Sequence, residues 1–235
     1  MTTPSKTASS PPGVQRSPAS GRAEVVRDIE ASGVVAVIRL REPNKLRAVV
    51  DALAEGGVRA LEVTMTVPGA IDLIGELAPT LPSGFILGAG TVLDSETARL
   101  AILAGAQFIV SPVFRPEVIT ICHRYDVAAM PGCFTPTEIL TAWESGADVV
   151  KVFPATALGP GFFKDIRGPL PQVRMMPTGG VTLDNAGDWI AAGAVAVGVG
   201  TALVDAKAIA ADAYAAITAN AQRIIGSVRA ARETA

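Results

Sequence analysis

The feature that most constrains this chain is a rhythm: a short apolar, β-branched run, a Gly-containing or polar junction, then a longer stretch of helical character, repeated eight times. The candidate strands are Val34–Arg39, Arg59–Thr64, Gly84–Gly88, Gln107–Ser111, Val127–Met130, Asp148–Val152, Val173–Pro177 and Ala194–Val197, with a helix predicted over Ala23–Ala31 ahead of the first. Gly56-Gly57, Gly105, Gly146 and Gly193 stand where a helix must stop before the next strand. Thr135-Pro136-Thr137-Glu138 reads as a capping box, a helix start that needs no chemistry to explain it. Nearly continuous apolar strands separated by helices imply a parallel sheet covered on both faces. Eight such units in about 210 residues predict an α/β fold, a single-domain (β/α)8 TIM barrel with an extra N-terminal helix. An open doubly wound sheet is the alternative, weakened by the lack of a G-x-G-x-x-G fingerprint after the first strand.

The barrel is expected over residues 23–235. Residues 1–22 form a Ser/Pro/Thr-rich tail; twelve of the first twenty residues are Ser, Thr or Pro, too little apolar surface to offset the entropy of ordering. The tail's clustered prolines oppose the amphipathic helix of an organelle transit peptide. A net charge of −2 supplies no basic footprint, so a small-molecule substrate is expected and nucleic acid is not. Gly, Pro or a charge breaks every apolar stretch short of a membrane span, so no membrane partner is expected. Cys122 and Cys133 match no metal or secretory disulfide pattern, which fits a reducing cytoplasm.

In such a barrel, chemistry gathers at the C-terminal ends of the strands. Alternation turns every second side chain inward, grouping Val35, Val37 and Arg39, then Ala60, Glu62 and Thr64, then Val149, Lys151 and Phe153. Arg39, Glu62 and Lys151 therefore converge at one end of an apolar interior. Burial and a neighbouring cation disfavour the ammonium form, leaving Lys151 as an amine able to attack a ketone. A purely structural Lys151–Glu62 ion pair is the plain alternative. Glu62 is placed to move protons. Arg39 offers a planar donor fork for a carboxylate, or a rim salt bridge.

Gly88-Ala89-Gly90-Thr91 lets backbone approach a ligand beside the Thr91 hydroxyl, or makes a plain turn. Thr178-Gly179-Gly180 and Gly198-Val199-Gly200-Thr201 offer backbone N–H groups near helix starts, a common way for barrels to hold phosphate or another anion. His123 is the only histidine and is expected to face solvent, so no metal site is expected. Cys122 and Cys133 read as small core or loop residues.

Leu61-Glu62-Val63-Thr64, Gly88-Ala89-Gly90-Thr91-Val92-Leu93, Ser111-Pro112, Pro131-Gly132, Lys151-Val152-Phe153-Pro154-Ala155 and Pro177-Thr178-Gly179-Gly180-Val181 together resemble the KDPG/KHG aldolase family. Its members are class I enzymes that cleave 2-keto-3-deoxy-6-phosphogluconate, its galactonate epimer or 4-hydroxy-2-oxoglutarate. The match covers most of residues 23–225. The resemblance implies a homotrimeric (β/α)8 barrel without cofactor, Lys151 as the Schiff-base lysine and Glu62 as general acid and base. It also implies that Arg39 and Thr91 contact the pyruvyl portion, that Pro112 and Phe153 shape the pocket, and that Gly179, Gly180, Gly200 and Thr201 bind the distal phosphate. One departure stands out: Thr66 occupies a position where phosphogluconate-type members often carry arginine. Thr201 also replaces a serine seen in many relatives.

The expected reaction is reversible cleavage to pyruvate and an aldehyde through a Lys151 imine. Two rivals remain at this stage. A phosphosugar isomerase or epimerase would share the barrel and phosphate loops without an imine, and a catalytically silent barrel would only bind a keto acid.

Overall fold

The computed structural model describes residues 21–40 and 42–234, so the expectation of a tail over residues 1–22 lies outside the described residues except at its end, where Gly21 precedes and Arg22 opens the first helix. In chain order the elements are α1 (Arg22–Ser32), β1 (Val34–Ile38), α2 (Leu46–Glu55), β2 (Ala60–Thr64), α3 (Ala70–Leu77), β3 (Ile86–Gly90), α4 (Ser95–Ala104), β4 (Phe108–Val110), α5 (Pro116–Arg124), β5 (Ala128–Met130), β6 (Gly132–Cys133), α6 (Pro136–Glu144), β7 (Val150–Val152), α7 (Gly159–Arg167), β8 (Met175–Pro177), α8 (Ala186–Ala191), β9 (Val197–Val199), α9 (Ala206–Ala210) and α10 (Tyr214–Glu233). All recorded strand pairs are parallel, in a six-stranded sheet ordered β5-β4-β3-β2-β1-β9 and a three-stranded sheet β6-β7-β8. The result is an α/β fold on a curled parallel sheet.

Hydrogen bonds bridge the two sheets at both margins. At one, Lys151 N–H donates to the Pro131 carbonyl (2.9 Å) and Asp148 N–H to the Ala129 carbonyl (3.0 Å). At the other, Val195 N–H donates to the Met175 carbonyl (3.0 Å) and Thr178 pairs with Gly198. Pro131 has no N–H to give a ladder, which divides the run 128–133 into β5 and β6.

The curl sorts the apolar residues into two sets. Ala36, Ile38, Leu61, Val63, Val150 and Val152 point outward into a large core shared with the helices. Val35, Ala60, Phe108, Met130, Val149 and Met176 point inward, where they meet Val25, Val26 and Ile29 of α1. That division follows the period-two alternation expected from sequence. The boundaries differ in detail. β1 ends at Ile38, so Arg39 lies one residue past it, and the third and eighth predicted strands sit two to three residues further along as β3 and β9. The sequence places strand starts at Gly84 and Ala194, whereas Gly84 takes φ +85° in the turn before β3.

Helix starts and stops follow their local chemistry. Thr135 and Glu138 form the reciprocal capping box of α6, and Asp94 caps α4 by accepting Thr97 N–H at 2.6 Å. Gly105, at φ +117°, closes α4 in the left-handed conformation. Among the described residues, no helix is long and apolar enough to cross a membrane.

Candidate active site

Lys151 sits in the middle of β7 and is 3% exposed. Its neighbours Val150 and Val152 face the outer core, so alternation directs the lysine inward. Its Nζ lies 5.0 Å from the centroid of the Phe153 ring. Burial pushes the Lys151 amine below the ordinary lysine range; the Glu62 carboxylate opposes that shift and the Arg39 guanidinium adds to it. An amine held this way is available as a nucleophile at a lower pH than a solvated lysine.

Glu62, 1% exposed, belongs to β2 and stands in register with Val37 and Gly88. Neither carboxylate oxygen has a hydrogen-bond partner among the described residues, so the structural ion pair with Lys151 is not formed. A buried carboxylate without donors costs free energy, and such groups concentrate where a ligand or a proton completes them. The glycines of β3 explain how it fits. A Cβ on Gly90 would lie 1.8 Å from Glu62 Oε1, and one on Gly88 would lie 2.4 Å from the Phe108 ring. The sequence leaves these glycines either to admit a ligand or to make a plain turn; in the structure the bare faces of Gly90 and Gly88 admit Glu62 and Phe108.

Thr91 follows directly and adopts φ 59°, a left-handed conformation that costs a β-branched residue of order 1–3 kcal/mol. It is held on both sides, because Gly90 C=O accepts Met65 N–H (2.8 Å) and Val92 N–H donates to Val110 C=O (3.1 Å). Strain kept in this way is characteristic of functional loops. Pro112 is half-buried in the loop after β4, its carbonyl so near Gly132 that a Cβ there would lie 2.3 Å from it. Arg39 is exposed, and a Cβ on Gly200 would lie 3.7 Å from its Nη1. The guanidinium thus stands between the lysine, whose charge it influences, and the Gly200-Thr201 loop.

Gly179 and Gly180 take φ +87° and +75° after β8. The Gly180 carbonyl is tied back by Asn185 Nδ2 at 2.9 Å, while its N–H meets no acceptor among the described residues. In the sequence Thr178 stands out only as part of that loop. Its hydroxyl is buried beside Gly198 and has no hydrogen-bond partner among the described residues, a polar atom that a ligand could satisfy. The signal for it was present: a hydroxyl residue at the end of an apolar strand.

Other candidates lie apart. His123 is half-buried rather than solvent-facing, with Nε2 3.7 Å from Asp148 Oδ2. Cys122 and Cys133 are free and buried, and burial pushes both thiols up to about 12, which leaves no nucleophilic thiolate near neutral pH.

Comparison with known proteins bears directly on this arrangement. A family model described as KDPG and KHG aldolase matches residues 25–220. The chain is 37% identical over 198 residues to the 2-dehydro-3-deoxy-phosphogluconate aldolase of Treponema pallidum, covering 84% of this chain and 94% of that one. It is 34% identical over 178 residues to the 2-dehydro-3-deoxy-6-phosphogalactonate aldolase of Escherichia coli, covering 72% and 83%. Among solved structures it is similar to the KDPG aldolase of Legionella pneumophila, with pyruvate captured as a covalent carbinolamine intermediate (TM-score 0.79, 30% identity, 85% and 97% of the two chains). With the family model spanning most of the chain and both relatives covered over more than four fifths of their length, this protein belongs to the KDPG and KHG aldolase family.

Proposed function

We propose that this protein is a lyase, a class I aldolase that cleaves a 2-keto-3-deoxy-6-phospho sugar acid, of the gluconate or galactonate series, and 4-hydroxy-2-oxoglutarate. The products are pyruvate and an aldehyde, glyceraldehyde 3-phosphate or glyoxylate. The observation that carries the reading is a lysine buried inside a parallel sheet, facing a buried carboxylate that no donor among the described residues satisfies. Lys151 attacks the C2 ketone and loses water with proton transfer through Glu62, giving a protonated imine. The imine accepts the C3–C4 electron pair as that bond breaks, Glu62 takes the proton of the C4 hydroxyl, and the aldehyde leaves. Glu62 then returns a proton to C3 of the enamine, and hydrolysis frees pyruvate and the lysine.

Around that pair, Arg39 and Thr91 hold the pyruvyl carboxylate and carbonyl, and Pro112 and Phe153 shape the pocket. Gly179, Gly180, Gly200 and Thr201 hold the distal phosphate, and the Thr178 hydroxyl meets a substrate hydroxyl between the two ends. Position 66 offers no cation, since Thr66 Oγ1 is hydrogen-bonded to Thr64 Oγ1 at 2.7 Å, so the carboxylate contact falls to Arg39. In this reading residues 23–235 are one domain, a closed (β/α)8 barrel with α1 as an extra helix at its N-terminal end. The hydrogen bonds at both sheet margins support closure. The assembly is a homotrimer working in a reducing cytoplasm. The exposed apolar residues Leu93, in the loop before α4, Leu100, on α4, and Val113, in the loop between β4 and α5, support a subunit contact on this side of the molecule.

The test is borohydride reduction in the presence of pyruvate, followed by intact-mass analysis, with Lys151→Ala beside the parent protein. One reduced pyruvyl adduct on the parent and none on the variant is the expected result. A folded parent without adduct, or a variant that still turns over the three keto acids, overturns the imine mechanism.

A further inference from the structure

The turn that follows the lysine strand touches the glycine loop. Ala155–Ala157 form a 3-10 turn directly after Pro154, and Ala155 N–H donates to the Thr178 carbonyl at 2.9 Å, which fixes the turn to the end of β8. Thr156, exposed at the centre of this turn, lies against both consecutive left-handed glycines. A Cβ on Gly179 would be 3.3 Å from Thr156 Oγ1, and one on Gly180 would be 3.1 Å from that oxygen and 2.8 Å from Thr156 Cα. Both glycines are favoured by their φ angles, and Gly180 is required a second time because the Thr156 backbone occupies the space of any side chain there, while at Gly179 the Thr156 hydroxyl makes a tight contact. The Thr156 hydroxyl makes no hydrogen bond among the described residues, and neither does the Gly180 N–H beside it.

Two unspent donors of different origin, a side-chain hydroxyl and a left-handed backbone amide, thus sit side by side at the edge of the expected anion loop. Consecutive amides of this kind form a concave seat for an anion, and a hydroxyl alongside adds a donor that backbone cannot supply. We infer that Thr156 is a specificity residue of this site, donating its hydroxyl to the distal phosphate of the substrate and so favouring phosphorylated over unphosphorylated keto acids. The inference rests on the aldolase reading for the identity of the substrate, but not for the binding of phosphate itself.

Thr156→Val removes the hydroxyl at similar volume, and Thr156→Ser restores it. Loss of a hydrogen bond to a charged group predicts a rise of about tenfold or more in the ratio of KM for the phosphorylated substrate to KM for 4-hydroxy-2-oxoglutarate in Thr156→Val, recovered in Thr156→Ser. A ratio equal to that of the parent overturns the assignment, as does a rise that serine fails to reverse. A second measurement is independent of turnover: inorganic phosphate should raise the melting temperature of the parent and of Thr156→Ser, and raise that of Thr156→Val clearly less. Equal shifts in all three proteins, or none in the parent, also overturn it. Failure of pyruvate trapping on the parent would remove the aldolase reading while leaving the phosphate result to decide this one.

Discussion

Lys151 is a base whose strength burial and two charged neighbours set against one another. Burial lowers its proton affinity most, Glu62 raises it and Arg39 lowers it. The signs make separate predictions. The rate of borohydride-trapped adduct formation should rise with pH around a midpoint below the ordinary lysine value near 10.5. Arg39→Met should move that midpoint up and Glu62→Gln should move it down; shifts of the same sign, or none, would show that these charges do not reach the amine. Stability carries the same signature. A folded pKa below the unfolded one means that folding releases a proton, so this residue's contribution grows more favourable as pH rises between the two values. At this scale the sequence was highly legible for Lys151 and Glu62, because a charge inside an apolar, β-branched run has few explanations. Thr91 was legible as a hydroxyl beside a turn, but its left-handed backbone was not.

Strand β3 shows what an element contributes beyond its residues. Its sequence, Ile86-Leu87-Gly88-Ala89-Gly90, places two glycines on the inward face, and each empty position is filled from a neighbouring strand. Phe108 of β4 covers Gly88, while Glu62 of β2 lies over Gly90. Gly90→Ala should therefore displace the carboxylate far more than it disturbs the fold. We expect a fall in kcat of at least about a hundredfold, the scale on which a positioned acid–base group acts, with circular dichroism and pyruvate binding largely retained. A variant with full kcat would mean that Glu62 need not lie where the structure holds it. Glycine spacing alone was compatible with a ligand approaching the backbone, and only cross-strand register shows that side chains claim the space. The same limit explains the misplaced ends of β3 and β9. Propensity marks where a strand is favourable, but pairing with the adjacent strand decides where its ladder starts and stops.

Over the whole molecule, the curled sheet needs its interior closed at the end opposite the chemistry. Val25, Val26 and Ile29 of α1 meet Val35, Ala60 and Val149 there, with Ile29 fully buried. Ile29→Ala should cost roughly 2–5 kcal/mol, lowering the melting temperature by several degrees, while pyruvate trapping at lower temperature persists. A change of less than a degree would show that α1 adds little to the core. How the molecule is organised was already written into local chemistry: apolar runs too short for helices, left-handed glycine stops and the capping box dictate alternating strands and helices because each depends on residues close in sequence. Hydrophobic alternation likewise determined which face of each strand looks inward. The tertiary structure alone decided that Glu62 lies over Gly90 with no hydrogen-bond partner among the described residues, that His123 turns toward Asp148 and that Thr156 packs on Gly179 and Gly180. Those outcomes depend on distances between strands and loops far apart in the chain, which register and packing set and no local pattern encodes.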